Sequence, residues 1–252
     1  MTGTQRTAEP GLVIVTGGSR GIGAEVCRTL AESGHAVAVD YAGHAEAAEA
    51  VVDRVTARGG RARAIAADVC DERQVGALFE EAEAVLGPLT GVVNNAGVFG
   101  EARPLAEQDT EVLERLLAVN VLGPLLCCRA AVGRLSTRHG GRGGAIVNVS
   151  SVAARSGGIP GAVAYAATKG AVESLTRGLA NEVAREGVRV NAVAPGLVDT
   201  DMAPPELDRL AETGVPMGRP ARPREVAEAV AWLMSPAASY VTGTTVTVSG
   251  GR

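Results

Sequence analysis

Short apolar runs alternate with helical segments along most of the chain, and this order limits the possible folds more than any other feature. Six segments carry apolar residues at helical spacing: 21–33, 46–58, 72–86, 112–134, 163–186 and 224–233. Seven runs rich in valine, isoleucine and alanine precede, separate and follow them: 12–16, 36–41, 62–67, 91–94, 145–150, 189–194 and 244–248. Most of these runs lack regular polar alternation, which is typical of parallel strands covered by helices on both faces.

The sequence therefore predicts an α/β fold, a single-domain Rossmann-type doubly wound parallel sheet of about seven strands with helices on both faces. The 252 residues suit one domain, which we expect over 11–252 behind a flexible N-terminal tail, 1–10. The main irregular stretch, 199–223, contains five prolines, and we expect it to cover a substrate. Its apolar candidates for substrate contact are Met202, Ala203, Leu207, Leu210 and Met217. The equally weighted alternative is that these residues pack a helical lid on the core.

Composition excludes several classes of protein. The net charge of −4 argues against an electrostatic nucleic-acid binder. No uncharged apolar run reaches the ~18 residues of a membrane span, and the first ten residues show no signal peptide, so we expect a cytoplasmic protein. The four cysteines form no CxxC pair and are predicted to be buried free thiols: Cys27, Cys70, Cys127 and Cys128. No cluster of histidine, cysteine and carboxylate suggests a metal site.

A glycine-rich turn follows the first predicted strand and leads into the first predicted helix. Its spacing, Gly-x-x-x-Gly-x-Gly, lets the backbone approach a pyrophosphate while the helix N-terminus offers N–H groups to the anion. The residues expected to contact a dinucleotide here are Gly17, Ser19, Arg20, Gly21, Ile22 and Gly23. Residues 17–21 also fit the Gly-x-Ser-x-Gly motif of serine hydrolases. However, no histidine follows the later strands, where the general base of such enzymes usually lies.

Two further patches lie at the carboxyl ends of predicted strands, the edge at which open α/β sheets bind ligands. Asp68, followed by Val69, ends the third strand and is placed to accept a hydrogen bond from an adenine amino group. The alternative for Asp68 is an N-cap of the helix that starts at residue 72. Asn95, Ala96 and Gly97 end the fourth strand.

Tyr165 and Lys169 are four residues apart, so a helix places them on one face, one turn from each other. Lys169 is the only lysine among 24 lysine and arginine residues, which indicates a need for a compact ammonium that arginine does not supply. An ammonium within ~4–6 Å stabilises a phenolate and lowers the pKa of a tyrosine toward neutrality. The alternative is an ordinary exposed pair on a surface helix.

The ordered set of motifs resembles the signature of the short-chain dehydrogenase/reductase family. The set consists of residues 16–23, Asn94 to Gly97, Asn120, Ser150 with Ser151, Tyr165 with Lys169, and Pro195 with Gly196. The resemblance covers nearly the whole chain and implies an NAD(P)-dependent oxidoreductase that transfers a hydride between nicotinamide and a carbonyl or secondary alcohol. Among members, the chain is similar to 3-oxoacyl-ACP reductases and glucose dehydrogenase-like enzymes. A sugar or polyol dehydrogenase and a non-catalytic NADP-binding regulator are the alternatives.

The resemblance also implies roles for individual residues. Tyr165 would give a proton to the substrate carbonyl, Lys169 would lower the Tyr165 pKa and bind the nicotinamide ribose, and Ser151 would orient the substrate oxygen. Asn120 would hold a water that relays protons to Lys169. The segment expected to seat the nicotinamide carboxamide comprises Pro195, Gly196, Val198 and Thr200. Family members are usually tetramers, so we expect a homotetramer. An apolar stripe of Leu117, Val121, Pro124 and Cys128 is compatible with an interface, but also with ordinary burial.

Two departures from the family pattern leave alternatives open. Ser151 lies fourteen residues before Tyr165, one more than in many members, so Ser150 remains an alternative catalytic serine. Tyr41, preceded by Asp40, occupies the position where NAD-preferring members carry an acidic residue. Because neighbouring strand residues face opposite ways, Asp40 would point away, and Arg20, assisted by His44, would meet a 2′-phosphate. NADP is therefore the expected cofactor, with NAD as the alternative.

Replacement of the lone lysine tests its predicted role. We expect Lys169→Arg to lower kcat at least about 100-fold although it keeps the positive charge, because a planar guanidinium cannot replace a compact ammonium. Cofactor absorbance measures the rate with any substrate that the unmodified protein turns over. A variant with near-normal kcat would show that the retention of lysine has no catalytic meaning.

Overall fold

The apolar runs form one parallel β-sheet in the computed structural model, which describes residues 10–203 and 206–252. Its strands are β1 (Leu12–Val15), β2 (Ala36–Tyr41), β3 (Arg61–Ala66), β4 (Leu89–Asn94), β5 (Gly144–Val149), β6 (Val188–Pro195) and β7 (Thr245–Val248). The spatial order is β3-β2-β1-β4-β5-β6-β7, and every neighbouring pair is parallel. The predicted doubly wound sheet is confirmed. Its strand order reverses between β1 and β4, which opens a crevice at the carboxyl edge.

Nine α-helices occur within the described ranges. They are α1 (Gly21–Glu32), α2 (Ala45–Thr56), α3 (Glu72–Leu86), α4 (Thr110–Leu117), α5 (Gly123–Leu135), α6 (Ala153–Ser156), α7 (Val163–Val183), α8 (Leu207–Gly214) and α9 (Pro223–Met234). The helix predicted over 112–134 is divided, because a π-helical turn, Ala118–Leu122, joins α4 to α5. The stretch 199–223, predicted to be irregular, contains α8, whose Leu207 and Ala211 are buried.

The pleat of the strands divides the core into two layers. In β1, Leu12 and Ile14 face the layer formed with α3, α5 and α7. Val13 and Val15 face the opposite layer, formed with α1, α2 and α9. All four side chains are fully buried, and each such burial contributes about 1.5–3 kcal/mol to the free energy of unfolding. This double burial explains why the strands lack polar alternation.

One described helical stretch, Thr110–Leu135, is long and apolar enough to cross a membrane by length and composition alone. The sequence shows no uncharged run of that length because Arg129 interrupts it. The structure uses the apolar residues of this stretch in the protein core, where Leu126, Ala131 and Leu135 pack in the layer with α3 and α7.

The structure divides the apolar stripe of α4 and α5. Pro124 and Cys128 are buried within the chain, which agrees with the alternative of ordinary burial. Leu117 of the stripe is exposed, as are Leu122 and Leu125 outside it, with 44–56% of their surface accessible. The π-helical turn shifts the helical register between α4 and α5, so residues at regular helical spacing do not all share one face.

The four cysteines are free thiols, and three of them are buried as predicted: Cys27, Cys127 and Cys128. Burial raises the pKa of the Cys128 thiol to about 12, so it stays protonated at neutral pH. Cys70 is partly exposed, which departs from the prediction, and desolvation raises its pKa to about 11. The predicted N-terminal tail lies outside the described residues except for Pro10, which is exposed.

Candidate active site

The glycine-rich turn between β1 and α1 forms one wall of the site. Gly17 and Gly21 have φ values of 60° and 52°, a left-handed conformation that other residues rarely adopt. A Cβ on Gly23 would overlap the Gly17 carbonyl oxygen and the Asn95 side-chain nitrogen. Helix α1 begins at Gly21 with no side-chain cap and no acidic residue in its first turn. Its first N–H groups are therefore available to an anion, and the turn fits a dinucleotide pyrophosphate.

The end of β4 is tied to this turn by hydrogen bonds. The Thr16 hydroxyl oxygen accepts the backbone N–H of Asn95 and of Ala96, both at 3.0 Å. The Asn95 side-chain nitrogen donates to the carbonyl oxygens of Thr16 (3.0 Å) and Gly17 (2.9 Å). Asn95, predicted as a cofactor contact, thus holds the turn through its amide nitrogen. Sequence reasoning missed Thr16, whose place in the motif was its only signal.

The end of β2 places Asp40 and Tyr41 in different surroundings. Asp40 is 1% exposed, and its Oδ2 accepts the Gly17 N–H at 3.1 Å. Tyr41 is partly exposed at the end of the strand. Arg20 extends from the turn into solvent, with its guanidinium 3.6 Å from the Asp201 carboxylate. The arrangement agrees with the expected register: Asp40 points beneath the glycine-rich turn, and Tyr41 lies on the opposite face of β2, where the ribose is expected.

Asp68 lies beyond β3 and does not cap α3, since Asp71 is the residue whose side chain accepts N–H groups of that helix. Its Oδ1 accepts the Cys70 N–H at 3.0 Å, and its Oδ2 is 3.6 Å from the Arg115 guanidinium. The Cys70 hydrogen bond is the main cause that holds the pKa of Asp68 below its usual value. Val69 is buried against Gly123, so its side chain serves packing.

Helix α7 carries Tyr165 and Lys169. Lys169 is 5% exposed, and its Nζ donates to the Val149 carbonyl oxygen at 2.8 Å. Burial lowers the pKa of Lys169 to about 8. The same nitrogen lies 5.7 Å from the centroid of the Tyr165 ring. The pair is therefore a partly desolvated constellation and not an ordinary exposed pair on a surface helix.

The Tyr165 phenol departs from one expectation. Burial raises the pKa of the phenol above its usual value. A hydrogen bond with the Ser151 hydroxyl lowers this pKa, but by less than burial raises it. The predicted lowering of this pKa by Lys169 is wrong for this structure, because desolvation of the phenol is the dominant effect. The Phe99 ring contributes to the enclosure, with its centroid 5.0 Å from that of Tyr165. Phe99 carried no signal in the sequence beyond its place shortly after Gly97.

Asn120 lies in the π-helical turn and is fully buried. Its Oδ1 accepts the Val98 N–H at 2.8 Å, and its Nδ2 donates to the Val98 carbonyl oxygen at 2.8 Å and to Thr168 Oγ1 at 3.1 Å. A Cβ on Gly97 would lie 3.4 Å from Asn120 Oδ1 and 3.5 Å from Lys169 Nζ. The chain after β4 therefore meets both side chains at Gly97.

The two serines after β5 differ in their surroundings. Ser150 is buried, and its hydroxyl donates to the Lys169 carbonyl oxygen at 3.3 Å. Ser151 is partly exposed, and its Oγ accepts the Ala153 N–H at 3.2 Å. A hydrogen bond with its hydroxyl group lowers the pKa of the Tyr165 phenol. The geometry therefore favours Ser151 as the serine that can meet a substrate.

The segment after β6 closes the crevice against the glycine-rich turn. Gly196, which follows Pro195, is pressed against Ser249, whose Cα would lie 2.9 Å from a Cβ at this position. Val198 forms a bridge with Ala221, and the Thr200 methyl carbon would lie 3.3 Å from a Cβ on Gly21. The ends of β1, β4, β5 and β6 thus contribute to one crevice.

The apolar candidates of 199–223 separate into two groups. Leu207 is buried, which excludes it as a free substrate contact in this conformation. Met202 and Met217 are 56% and 64% exposed, and Ala203 and Leu210 are partly exposed. Residues 204–205 of the stretch lie outside the described residues.

Two rival chemistries find no support in the geometry. The His35 ring nitrogen lies 3.2 Å from the Gly11 carbonyl oxygen, and no hydrogen bond within the described ranges joins a histidine to Ser19. A serine hydrolase needs that contact between base and nucleophile. In residues 10–203 and 206–252, no three histidine, cysteine or carboxylate side chains are grouped as a metal site would require.

The fold and crevice define a nucleotide-binding α/β protein with a tyrosine–lysine pair at its centre. A family model described as enoyl-(acyl carrier protein) reductase matches residues 17–252. The chain is 45% identical to the uncharacterized oxidoreductase YgfF of Escherichia coli K12, over 96% of this chain and 99% of that protein. It is 40% identical to the 3-oxoacyl-[acyl-carrier-protein] reductase FabG of Staphylococcus aureus, over 94% and 96%.

Solved structures agree. A blue fluorescent protein from a metagenomic library, in complex with NADPH, superimposes with a TM-score of 0.88 at 39% identity, covering 96% of this chain and 97% of that one. The chain belongs to the short-chain dehydrogenase/reductase family. It is an NAD(P)-dependent oxidoreductase that acts on a CH–OH or C=O group of a small molecule.

The crowding at Gly23 gives a test of the glycine-rich turn. We expect Gly23→Ala to weaken NADPH binding at least about tenfold, because the new methyl group displaces the Gly17 carbonyl and the Asn95 amide. Titration of NADPH fluorescence measures the dissociation constant. Gly76→Ala in α3 is the matched control, since no atom lies within 4 Å of its new methyl group. Equal affinity in the two variants would contradict the proposed fit.

Proposed function

We propose that this protein is an NADPH-dependent carbonyl reductase whose substrate class is the 3-oxoacyl thioesters. The observation that carries the proposal is the grouping of Tyr165, Ser151 and Lys169 at the crevice. A hydrogen bond with Ser151 lowers the pKa of the phenol, and Lys169 Nζ lies close to the phenol ring. Similarity to the S. aureus reductase over 94% of the chain supports the substrate class. The bound nicotinamide supplies the hydride.

Tyr165 is the proposed proton donor. Because burial holds its pKa above the usual value, the phenol is fully protonated at neutral pH and carries the proton that a reduced carbonyl requires. Ser151 accepts an N–H from Ala153 through its oxygen, and its hydroxyl hydrogen, which faces the Tyr165 phenol, would turn to the oxygen of a bound substrate. Two donors then converge on the oxygen where negative charge develops, which is the arrangement that stabilises such a transition state.

Lys169 and Asn120 are proposed to supply and position the proton path. The pKa of Lys169, lowered by burial to about 8, allows both the ammonium and the amine near neutral pH. This nitrogen is held at one place by the Val149 carbonyl oxygen. Asn120 is fixed by three hydrogen bonds, so its contact with Gly97 keeps the chain beside Lys169 in place.

The cofactor contacts are proposed on the same fit. The glycine-rich turn would hold the pyrophosphate, Asp68 and Val69 would border the adenine, and Ala96 and Gly97 would border the nicotinamide ribose. The segment from Pro195 to Thr200 would seat the carboxamide. Tyr41 and Arg20 would meet the ribose 2′-phosphate. The partly exposed Tyr41 and the solvent-exposed guanidinium of Arg20 support NADP over NAD.

A homotetramer, a cytoplasmic location and a substrate loop at 199–223 stay predictions of the sequence. Support for an assembly comes from the exposed apolar side chains Leu117, Leu122 and Leu125 on α4 and α5 and the turn between them.

A substrate panel with Tyr165→Phe tests the function. We expect NADPH oxidation with a 3-oxoacyl thioester by the unmodified protein, and a loss of about 10²–10⁴-fold in kcat in Tyr165→Phe, because the variant lacks the donated proton. NADPH affinity should be nearly unchanged. Absorbance of the reduced cofactor measures turnover, and fluorescence titration measures binding.

Ser151→Ala provides a second arm, with an expected loss of about 10²–10³-fold in kcat. Sugars and polyols in the panel address the alternative dehydrogenase. Turnover of these compounds alone would exclude the thioester assignment, and tight NADPH binding without turnover of any compound would favour a regulator. Full activity of Tyr165→Phe would overturn the mechanism.

Cofactor preference is tested by the ratio of kcat/KM with NADPH to that with NADH. We expect a ratio of at least about ten, because the Arg20 guanidinium pairs with a phosphate that NADH lacks. Arg20→Ala should lower kcat/KM for NADPH while changing that for NADH little. A clear NADH preference in the unmodified protein would reverse the assignment.

A further inference from the structure

Asp40 is a buried carboxyl group directly beneath the glycine-rich turn. Its side chain is 1% exposed. Oδ2 accepts the Gly17 N–H at 3.1 Å, and the Asp40 carbonyl oxygen accepts the Gly18 N–H at 2.8 Å. Oδ1 is buried and has no hydrogen-bond partner among the described residues. A carboxylate normally retains several hydrogen bonds or a counter-ion when it is buried. This one has the Gly17 hydrogen bond, a weaker interaction with the Tyr41 N–H, and no counter-ion among the described residues.

No cation pairs with Asp40 in the part of the chain that the structure describes. It takes part in none of the ion pairs of residues 10–203 and 206–252, although arginine is abundant there. Three ionisable groups interact electrostatically with Asp40: Asp68 beyond β3, Cys27 on α1 and Cys127 on α5. Both thiols are uncharged, since burial raises the pKa of each well above its usual value. Asp68 carries a negative charge and pairs with Arg115.

The other charged side chains on elements that pack against β2 are exposed or paired away from it. On α1 they are Glu25, Arg28 and Glu32, on β3 Arg61 and Arg63, on α2 Glu46, Glu49, Asp53 and Arg54, and on α3 Glu72, Arg73, Glu80, Glu81 and Glu83. Burial, with a smaller contribution from Asp68, raises the pKa of Asp40 to about 7. The protonated form of Asp40 is therefore well populated near neutral pH.

An anionic dinucleotide on this turn would interact directly with that ionisation. The Gly17 N–H donates to Asp40 Oδ2, so an ionised Asp40 carboxylate is in direct contact with the first glycine of the turn. Two negative charges separated by a few ångströms of protein repel strongly because little water screens them. The protonated acid removes this repulsion, and a bound anion in turn favours the protonated acid.

We infer that Asp40 is a proton-coupled determinant of dinucleotide binding: the turn accepts the cofactor with Asp40 protonated, so binding takes up a proton. The inference rests on the proposed cofactor site. It also makes Asp40 a determinant of specificity, because the 2′-phosphate adds about two negative charges and NADPH therefore depends on the neutral acid more strongly than NADH does.

Binding measurements on the unmodified protein provide the first test. The dissociation constant of NADH, which has no titrating phosphate, should rise roughly fivefold between pH 6 and pH 8, as expected if binding raises the Asp40 pKa by about one unit. Calorimetry at pH 7 in two buffers of different ionisation enthalpy should show an uptake of about 0.4 proton per NADH. NADPH should lose more affinity than NADH above pH 7.

Asp40→Asn is the decisive variant, because asparagine has the shape of the protonated acid and keeps an oxygen for the Gly17 N–H. We expect its proton uptake on NADH binding at pH 7 to be about 0.4 proton lower than that of the unmodified protein, and its NADH affinity to fall less between pH 6 and pH 8. The contribution of Lys169, whose pKa is about 8, is common to both proteins and cancels in this difference. Asp53→Asn, the same substitution at an exposed position of α2, is the matched control and should behave as the unmodified protein. If Asp40→Asn does not fold, Asp40→Ala is the second variant and should lose the same share of the proton uptake.

The outcomes separate this inference from the function on which it rests. Failure of NADH and NADPH to bind at pH 6 would overturn the cofactor site itself. Binding without proton uptake, or with the same pH dependence in Asp40→Asn, would overturn the role of Asp40 and leave the cofactor site intact. In that case Asp40 would only fasten Gly17 in place.

Discussion

Hydrogen bonds between the ends of β1 and β4 are the contacts on which the site depends. The strand order reverses between these two strands, so the chains that leave them diverge and open a crevice. The Thr16 hydroxyl and the Asn95 amide hold the two chain segments together at the base of this crevice. Only glycine at position 23 leaves room for this approach. The nucleotide side and the reacting side of the crevice are thereby fixed to each other.

Sequence periodicity predicted the sheet well because a strand buried on both faces must be apolar at successive positions, as β1 is. Helix α8 lies in a stretch predicted to be irregular because of its prolines, and burial of Leu207 and Ala211 agrees with the alternative of a helical lid packed on the core. The division of the helix over 112–134 could not be predicted, because a regular helical period does not anticipate a π-helical turn. The predicted site residues lie near one edge of the sheet because strand ends converge there, and their roles stay predictions.

Ionisation states were the part that the sequence could not provide. The spacing of Tyr165 and Lys169 correctly indicates neighbours, yet the pKa of the phenol depends on how much water its surroundings exclude. The Phe99 ring packs against the phenol and contributes to this exclusion, and it is distant in sequence from α7. The same holds for Asp40, whose burial arises from the turn after β1. Desolvation is a property of the assembled fold, so residue spacing alone does not determine even its sign.

The π-helical turn at Ala118–Leu122 makes the length of this helix critical. Such a turn holds one residue more than an α-helical turn, and this extra residue turns Asn120 inward to Val98 and Thr168. Loss of any one residue in the turn would restore an ordinary helix and rotate everything on one side of it by about 100°. Shortening this segment by one residue would therefore disturb the site far more than exchange of an exposed side chain such as Leu122 or Leu125.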